Sequence, residues 1–126
     1  MERKFIFDVS DTEKEILEYL WENPEGMKFR EILNYFNEVK GKNWKKQTVN
    51  TFLLRLKEKD LVTVGTEGTK SVYRAAYDRN GYEMKRAESI LDSYYKGSMK
   101  NFVMALTGGE KIDKETADEL RELLKE

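Results

Sequence analysis

The amino-acid sequence contains no cysteine, no histidine and a single proline. The lack of cysteine excludes disulfide bonds and thiolate metal sites, and the lack of histidine removes the usual proton shuttle of catalysis and a common zinc ligand. The carboxylates recur mainly at i, i+3 and i+4 spacings, which are typical of solvated helix faces. The sequence therefore predicts a protein that is not an enzyme and that holds no metal and no cofactor.

Long hydrophobic runs are missing as well. Nowhere do about eighteen apolar residues follow one another, so no membrane insertion is expected. The first ten residues, MERKFIFDVS, lack the apolar stretch of a signal peptide. Together these absences predict a cytoplasmic protein.

Charged and apolar residues make up most of the sequence. The chain has 126 residues, of which 39% are apolar and 37% are charged. This length suits one compact domain with an appendage rather than two independent cores. Because there are only 8 glycines and one proline, the composition favours a mostly helical fold over a β-sandwich.

The charge is segregated along the chain, although the formal net charge is only −1. Residues 1–27 carry 3 basic and 8 acidic side chains, whereas residues 28–60 carry 9 basic and 4 acidic ones. A basic segment of this kind is typical of a surface that meets phosphates. Unequal blocks also arise by chance in a highly charged chain, so charge alone leaves both interpretations open.

The hydrophobic periodicity predicts three helices in the first half of the chain. The first begins at a capping box formed by Ser10 and Glu13 and ends at the turn of residues 23–26. The second is predicted over residues 28–39, with a buried stripe formed by Phe29, Ile32, Leu33, Phe36 and Val39. The third lies within the segment KKQTVNTFLLRLKEKDLV, residues 45–62, and its buried stripe consists of Val49, Phe52, Leu53 and Leu56.

A change of period after Asp60 predicts a β-hairpin with a strand at 61–64, a turn at 65–68 and a returning strand at 69–75. Three helices followed by a hairpin are the layout of a winged helix-turn-helix. The predicted fold is therefore mostly α with a small β-hairpin. Residues 1–77 are expected to form a winged-helix DNA-binding domain, and residues 78–126 a helical dimerisation region.

The side of the third helix opposite its apolar stripe carries side chains that are able to read bases. The amides of Gln47 and Asn50 suit the edge of adenine, and Thr51 combines a hydroxyl with a methyl group that suits thymine. Basic residues around them suit phosphates, which supply affinity without sequence information. The predicted DNA-binding residues are Lys45, Lys46, Gln47, Thr48, Asn50, Thr51 and Arg55 of the helix and Lys70 and Arg74 of the hairpin. The alternative is that the polar set merely solvates a helix face.

The last third of the chain is again helical in pattern. Isolated helices of this length need a partner for their apolar face, and a second copy of the chain is the expected partner. The residues predicted to form the dimer contact are Ile90, Leu91, Tyr94, Phe102, Val103, Leu106, Leu120, Leu123 and Leu124.

Several segments, in this order, resemble the BlaI/MecI/CopY family of bacterial transcriptional repressors, also called the penicillinase repressor family. They are EILEYLW, QTVNTFLLRLKEKDLV, SVYRAA, SYYKGSMKNFVMAL and KIDKETADELRELLKE. The resemblance implies a homodimer on a palindromic double-stranded DNA operator. This sequence differs from the staphylococcal-type members in two respects. Asn50 stands where those members have a basic residue, and the wing around residues 66–69 is longer than theirs. The absence of cysteine makes the metal sensing of the copper-responsive branch unexpected here.

The same resemblance implies regulation by proteolysis. In the β-lactam branch, a membrane sensor-protease system causes clipping in the dimerisation helices, and the corresponding position here is near Ala105 and Leu106. Asn101-Phe102 is a second candidate, and a dimer helix without regulatory cleavage is the plain alternative. A different class of function also fits the layout: a winged-helix protein-interaction module without specific DNA binding, favoured by the low net charge. The distinction depends on whether the cations converge on the third helix and the wing.

Overall fold

The computed structural model describes residues 9–108 and 113–124, with the side chains of Leu120, Leu123 and Leu124 excepted. Its helices are α1 (Asp11–Glu22), α2 (Phe29–Asn34), α3 (Lys46–Glu58), α4 (Arg79–Tyr95), α5 (Met99–Thr107) and α6 (Lys114–Leu124). Its strands are β1 (Met27–Lys28), β2 (Val62–Glu67) and β3 (Lys70–Ala75), and the winged helix-turn-helix order predicted from the sequence is confirmed.

The first helix begins at the predicted capping box. The backbone N–H of Glu13 donates to Ser10 Oγ at 3.1 Å, and the backbone N–H of Ser10 donates to Glu13 Oε1 at 2.9 Å. These two bonds satisfy N–H groups that a helix start otherwise leaves unpaired. The helix ends one residue before Asn23, whose side chain donates to the carbonyl of Tyr19.

The second helix departs from its predicted course. After Asn34 the chain passes into a π-helical turn, Tyr35–Val39, in which the hydrogen bonds span one residue more than in an α-helix. The extra residue rotates Val39 out of the apolar stripe, and Val39 is 68% exposed instead of buried. The prediction of Val39 as a core residue was therefore wrong, whereas Ile32 and Phe36 are fully buried.

The sheet has three strands in the order β1-β3-β2, all antiparallel. The predicted turn at residues 65–68 was wrong, because β2 continues to Glu67, which pairs with Lys70 across a two-residue connection. Gly68 has a left-handed φ of 64°, the conformation that such tight connections require. The strand β1 was not predicted, because two residues are too short to produce an alternating pattern.

One hydrophobic core lies between the first three helices and the sheet. Its buried side chains come from the helices, the π-helical turn and the start of β2, and they are Ile16, Leu17, Leu20, Ile32, Phe36, Val49, Leu53, Leu56, Leu61, Val62 and Tyr82. Tyr82 belongs to the first turn of α4, so this turn packs with the winged domain. Trp21 strengthens the contact, since its Nε1 donates to the carbonyl of Tyr77 at 2.9 Å and its ring lies 4.7 Å from the Arg79 guanidinium.

The chain divides into two compact units, with the boundary between Ala87 and Glu88 inside α4. The domain boundary predicted after residue 77 stays a prediction. Within the second unit, Tyr95 and Phe102 meet edge to face, with ring centroids 5.3 Å apart. Among the residues that the structure describes, no helix is long and apolar enough to cross a membrane.

Candidate nucleic-acid interface

The first turn of α3 concentrates positive charge. Lys45 is the N-cap residue, Lys46 follows it, and no side chain caps the backbone N–H groups of this turn. The helix macrodipole places a partial positive charge at the same end. Cations near this end therefore destabilise the helix, and anions stabilise it. This arrangement weakens the helix by itself and suits a phosphate that accepts from the exposed N–H groups.

The polar face of α3, defined here as Gln47, Asn50 and Thr51, is exposed as the helical spacing predicted. The Thr51 hydroxyl donates to the carbonyl of Gln47 at 2.9 Å, so its hydrogen is occupied and the oxygen is left as an acceptor beside an exposed methyl group. The amides of Gln47 and Asn50 extend one turn apart on the same side. Leu54 continues this side and is 52% exposed. The predicted Thr48 is half-buried and Arg55 is exposed.

A concavity of about 730 Å³, the wing cleft, separates the polar face from the hairpin. It is lined by Lys28, Phe29, Arg30, Glu31, Asn34, Asn50, Lys70, Ser71 and Tyr73. Three cations and one carboxylate line it, so its charge is positive. The structure thus brings the predicted Asn50 and Lys70 to one cleft, together with Arg30 at the start of α2.

The second predicted cation of the hairpin, Arg74, lies elsewhere. Successive residues of a strand point to opposite faces, so Arg74 and Val72 share the face that Tyr73 does not use. The Arg74 side chain crosses Gly26, where an added Cβ would lie 3.1 Å from Arg74 Cγ and Cζ. Sequence analysis missed Ser71 and Tyr73 as cleft residues, because the cleft is formed by α2, α3 and β3 together and the pattern of one strand does not reveal it.

Carboxylates of other elements pair with part of the basic segment. Lys42 Nζ lies 3.0 Å from Glu15 Oε2, and Lys28 Nζ lies 4.0 Å from Glu67 Oε1. The positive charge counted over residues 28–60 is therefore larger than the charge that is free to meet a ligand. Lys45, Lys46 and Arg30 are exposed. Within residues 9–108 and 113–124, no three acidic side chains lie close enough to hold a metal ion.

The second unit exposes large apolar side chains. Tyr94 of α4 is 67% exposed, and Leu106 of α5 is 75% exposed. Of the other predicted contact residues, Ile90, Leu91, Phe102 and Val103 are half-buried within the chain. The side chains of Leu120, Leu123 and Leu124 lie outside the described residues. Ala105 and Leu106, the predicted cleavage position, are exposed in the last turn of α5.

Comparison with known proteins agrees with this geometry. The chain is 27% identical to the penicillinase repressor of Bacillus licheniformis over 123 residues, which cover 98% of this chain and 94% of the relative. It is 21% identical to the methicillin resistance regulatory protein MecI of Staphylococcus aureus (strain N315) over 119 residues, 94% of each chain. The solution structure of the DNA-binding domain of the repressor BlaI matches 65% of this chain and 94% of its own, with 28% identity and a TM-score of 0.53.

The family model described as penicillinase repressor matches residues 9–126. This range includes the core of the winged domain, the polar face of α3 and all of the helices that follow it. The family is one of transcriptional repressors and not of enzymes, in agreement with the prediction from composition. From the match over almost the whole chain, we conclude that the protein belongs to the penicillinase repressor family.

Proposed function

We propose that this protein is a transcriptional repressor that binds double-stranded operator DNA through α3 and the wing. The observation that carries the proposal is the exposed polar face of α3, flanked by the lysine-rich first turn and by the cationic wing cleft. An α-helix fits the major groove, where amide side chains recognise adenine and cations meet the flanking phosphates. In a bacterium the operator lies in the cytoplasm, and we propose this location for the protein.

Base recognition is proposed for Gln47, Asn50 and Thr51, with Thr48 at the edge of the contact. Lys45, Lys46, Arg55 and Lys70 are proposed to meet phosphates. Arg74 lies on the other face of β3, and it is proposed to reach the DNA backbone only at the outer side of the wing. The convergence of Arg30, Lys70 and Asn50 on one cleft supports this assignment over that of a protein-interaction module, whose cations need not share a surface.

We further propose that the protein acts as a homodimer on a palindromic site. Tyr94 and Leu106 are large apolar side chains that the single chain leaves in water, and burial against a second copy would remove that cost. A cut near Ala105 and Leu106 would divide α5 and thereby weaken the dimer. A membrane sensor-protease system that responds to a β-lactam is the proposed source of such a cut.

The experiment that tests the DNA-binding proposal is fluorescence anisotropy with the palindromic DNA upstream of the protein's own gene and with a scrambled duplex. Specific binding should be tighter than binding to the scrambled duplex by roughly a thousandfold or more. Both affinities should fall steeply between two salt concentrations, because phosphate contacts release counterions. Equal, weak binding to both duplexes would contradict the proposal and favour a protein partner.

A further inference from the structure

The turn that connects α2 to α3, residues 40–45, determines where the DNA-facing helix begins. Gly41 and Asn43 have left-handed φ values of 67° and 57°. Glycine adopts this conformation without strain, and asparagine tolerates it better than most residues do. The backbone N–H of Lys42 in this turn donates to the carbonyl of Phe36 at 2.9 Å. The shape of the turn therefore depends on contacts with the preceding helix.

Asn37, in the π-helical turn after α2, makes a two-point contact with this segment. Its Nδ2 donates to the carbonyl oxygen of Trp44 at 2.9 Å, and its Oδ1 accepts from the backbone N–H of Trp44 at 2.6 Å. The side-chain amide thus pairs with both polar backbone groups of one residue. We call this pair of hydrogen bonds the Asn37 clamp.

Trp44 directly precedes Lys45, the N-cap residue of α3, and its ring packs into the winged domain. The ring stacks on Phe36 with centroids 5.0 Å apart and lies 5.4 Å from the ring of Phe52. The side chain of Trp44 is therefore held by aromatic packing, while its backbone is held by the Asn37 clamp. No side chain caps the start of α3, and the clamp does not pair with the N–H groups of its first turn; it fixes the backbone of the residue that leads into the N-cap.

We propose that Asn37 is a positioning residue for DNA binding, which sets the first turn of α3 and with it the location of Lys45, Lys46 and Gln47. The inference rests on the proposed function, because it concerns how well α3 fits its duplex. Asn37 itself does not need to touch DNA. Without the clamp, the first turn would sample several arrangements, and only the fraction that fits the groove would bind.

The clamp needs an amide of this length. Alanine loses both hydrogen bonds. Aspartate keeps the acceptor for the Trp44 N–H, but it presents an oxygen to the Trp44 carbonyl, where the amide presented a donor. Alanine therefore removes the whole clamp and aspartate removes only the bond to the Trp44 carbonyl, while both leave the aromatic packing of Trp44 in place.

The test uses the full-length chain, Asn37→Ala, Asn37→Asp and the control Ile16→Val, which perturbs the core on α1 without touching the turn. Circular dichroism confirms that each variant is folded at the temperature used. Hydrogen exchange of the Trp44 amide, measured by NMR, reports whether the clamp is lost. Anisotropy then gives the affinities for the upstream palindromic duplex and for its scrambled form.

We expect Asn37→Ala to exchange the Trp44 amide faster, whereas Asn37→Asp keeps the acceptor for that N–H and should protect it much as the wild type does. Both variants should bind the palindromic duplex about tenfold more weakly, as when a tenth of the molecules are binding-competent. Binding to the scrambled duplex should change less, since loosely placed lysines still meet phosphates. Ile16→Val should lower the unfolding temperature and leave both affinities unchanged.

Two results would overturn the inference alone. In the first, the Trp44 amide exchanges faster in Asn37→Ala, but both Asn37 variants bind the palindromic duplex as the wild type does. In the second, both variants unfold, which would make Asn37 a determinant of the fold and not of the helix position. If instead the wild-type chain does not distinguish the two duplexes, the proposed function fails, and the inference fails with it.

Discussion

Glu13 is a carboxylate that is only 4% exposed, at the point where the start of α1 meets the end of α3. Lys59 Nζ lies 3.2 Å and 3.0 Å from its two oxygens, and the Ser10 backbone N–H donates to one of them. Burial raises the pKa of Glu13, but the hydrogen bonds from Ser10 and Lys59 outweigh it, so the pKa lies below its ordinary value of 4.5. The charged form is therefore the one that stabilises the fold.

We expect Glu13→Gln to lower the free energy of unfolding by about 2 kcal/mol at pH 7, because it removes the charge that Lys59 faces. A lowered folded-state pKa means that this stabilisation is complete above the ordinary pKa of glutamate and is lost as the pH falls through the folded-state value. Urea denaturation should show a larger difference in the free energy of unfolding between variant and wild type at pH 7 than at pH 3.

The matched control is Glu18→Gln, which removes a more exposed pair with Arg79, 3.5 Å between Arg79 Nη2 and Glu18 Oε2. An exposed pair of this kind stabilises by less than about 1 kcal/mol. Equal losses for Glu13→Gln and Glu18→Gln, or a Glu13→Gln loss that grows towards pH 3, would contradict the assigned role of Glu13.

Two substitutions on α3 separate affinity from sequence recognition. Lys46→Ala should weaken binding to palindromic and scrambled duplexes by a similar factor and reduce the slope of log K against log salt by about 1, because it removes one phosphate contact. Asn50→Ala should reduce the difference in affinity between the two duplexes, because it weakens binding to the palindromic duplex by about 1–3 kcal/mol. Anisotropy titrations at several salt concentrations measure both effects.

Lys114→Ala, an exposed lysine of α6, is the control for the loss of one positive charge. It should leave both affinities close to those of the wild type. Identical changes from Lys46→Ala and Asn50→Ala on both duplexes would show that the assignment of the two roles is incorrect.

At the scale of elements, the sequence was informative wherever one face of a helix is buried. The apolar stripe of α3 predicts the buried Val49, Leu53 and Leu56, while its fourth member, Phe52, is half-buried. The capping box predicts where α1 begins. The polar face of α3 follows from the same periodicity. Local pattern could not show the π-helical turn, since Val39 continues the α-helical spacing in sequence while the backbone does not continue it in space.

The sheet and the wing cleft illustrate what pattern leaves open. Strand β1 is set by its partner β3 and not by its own two residues, and the true hairpin turn contains only Gly68 and Thr69. The wing cleft depends on α2, α3 and β3 together, so no single segment could reveal it. The Asn37 clamp also escaped sequence analysis, because asparagine before a glycine-containing turn has many uses.

The junction of α1 with the sheet depends on Gly26. Its φ is 100°, and an added Cβ would lie 2.5 Å from Val72 Cγ1. Gly26→Ala should therefore combine backbone strain with a clash against β3 and destabilise the fold by about 3 kcal/mol. Thermal or urea denaturation followed by circular dichroism measures the loss.

Gly68→Ala provides the matched control at the hairpin, because Gly68 also has a positive φ but an added Cβ meets no atom within 4 Å. Only backbone strain remains there, about 1–2 kcal/mol. If the two glycine substitutions lower the free energy of unfolding equally, the close approach of Gly26 to Val72 would not contribute to the cost of Gly26→Ala.

At the scale of the whole molecule, the apolar side chains of α4 and α5 bear on assembly. We expect the full-length chain to sediment as a dimer and Leu106→Asp to shift it strongly towards monomer, because a carboxylate would have to be buried in the dimer contact. Sedimentation equilibrium over a range of concentrations gives the dissociation constants. A chain truncated after Ala105 should behave as a monomer, because it lacks Leu106 and every residue that follows.

Asn101→Asp, on an exposed polar position of the same helix, introduces the same charge and should leave the dimer intact. A truncated chain that still sediments as a tight dimer would remove the link between cleavage and loss of repression. If Leu106→Asp dimerises with the affinity of the wild type, the dimer contact lies on a surface that does not include Leu106.

The two tryptophans of the chain stand in separate surroundings. The indole of Trp21 lies beside the Arg79 guanidinium, whereas that of Trp44 stacks on Phe36, one residue before the N-cap of α3. Replacing Trp21 by phenylalanine would leave Trp44, at the connecting turn, as the single tryptophan of the chain. Its emission spectrum would then act as a label-free optical probe of this turn, readable in a cuvette while duplex is added.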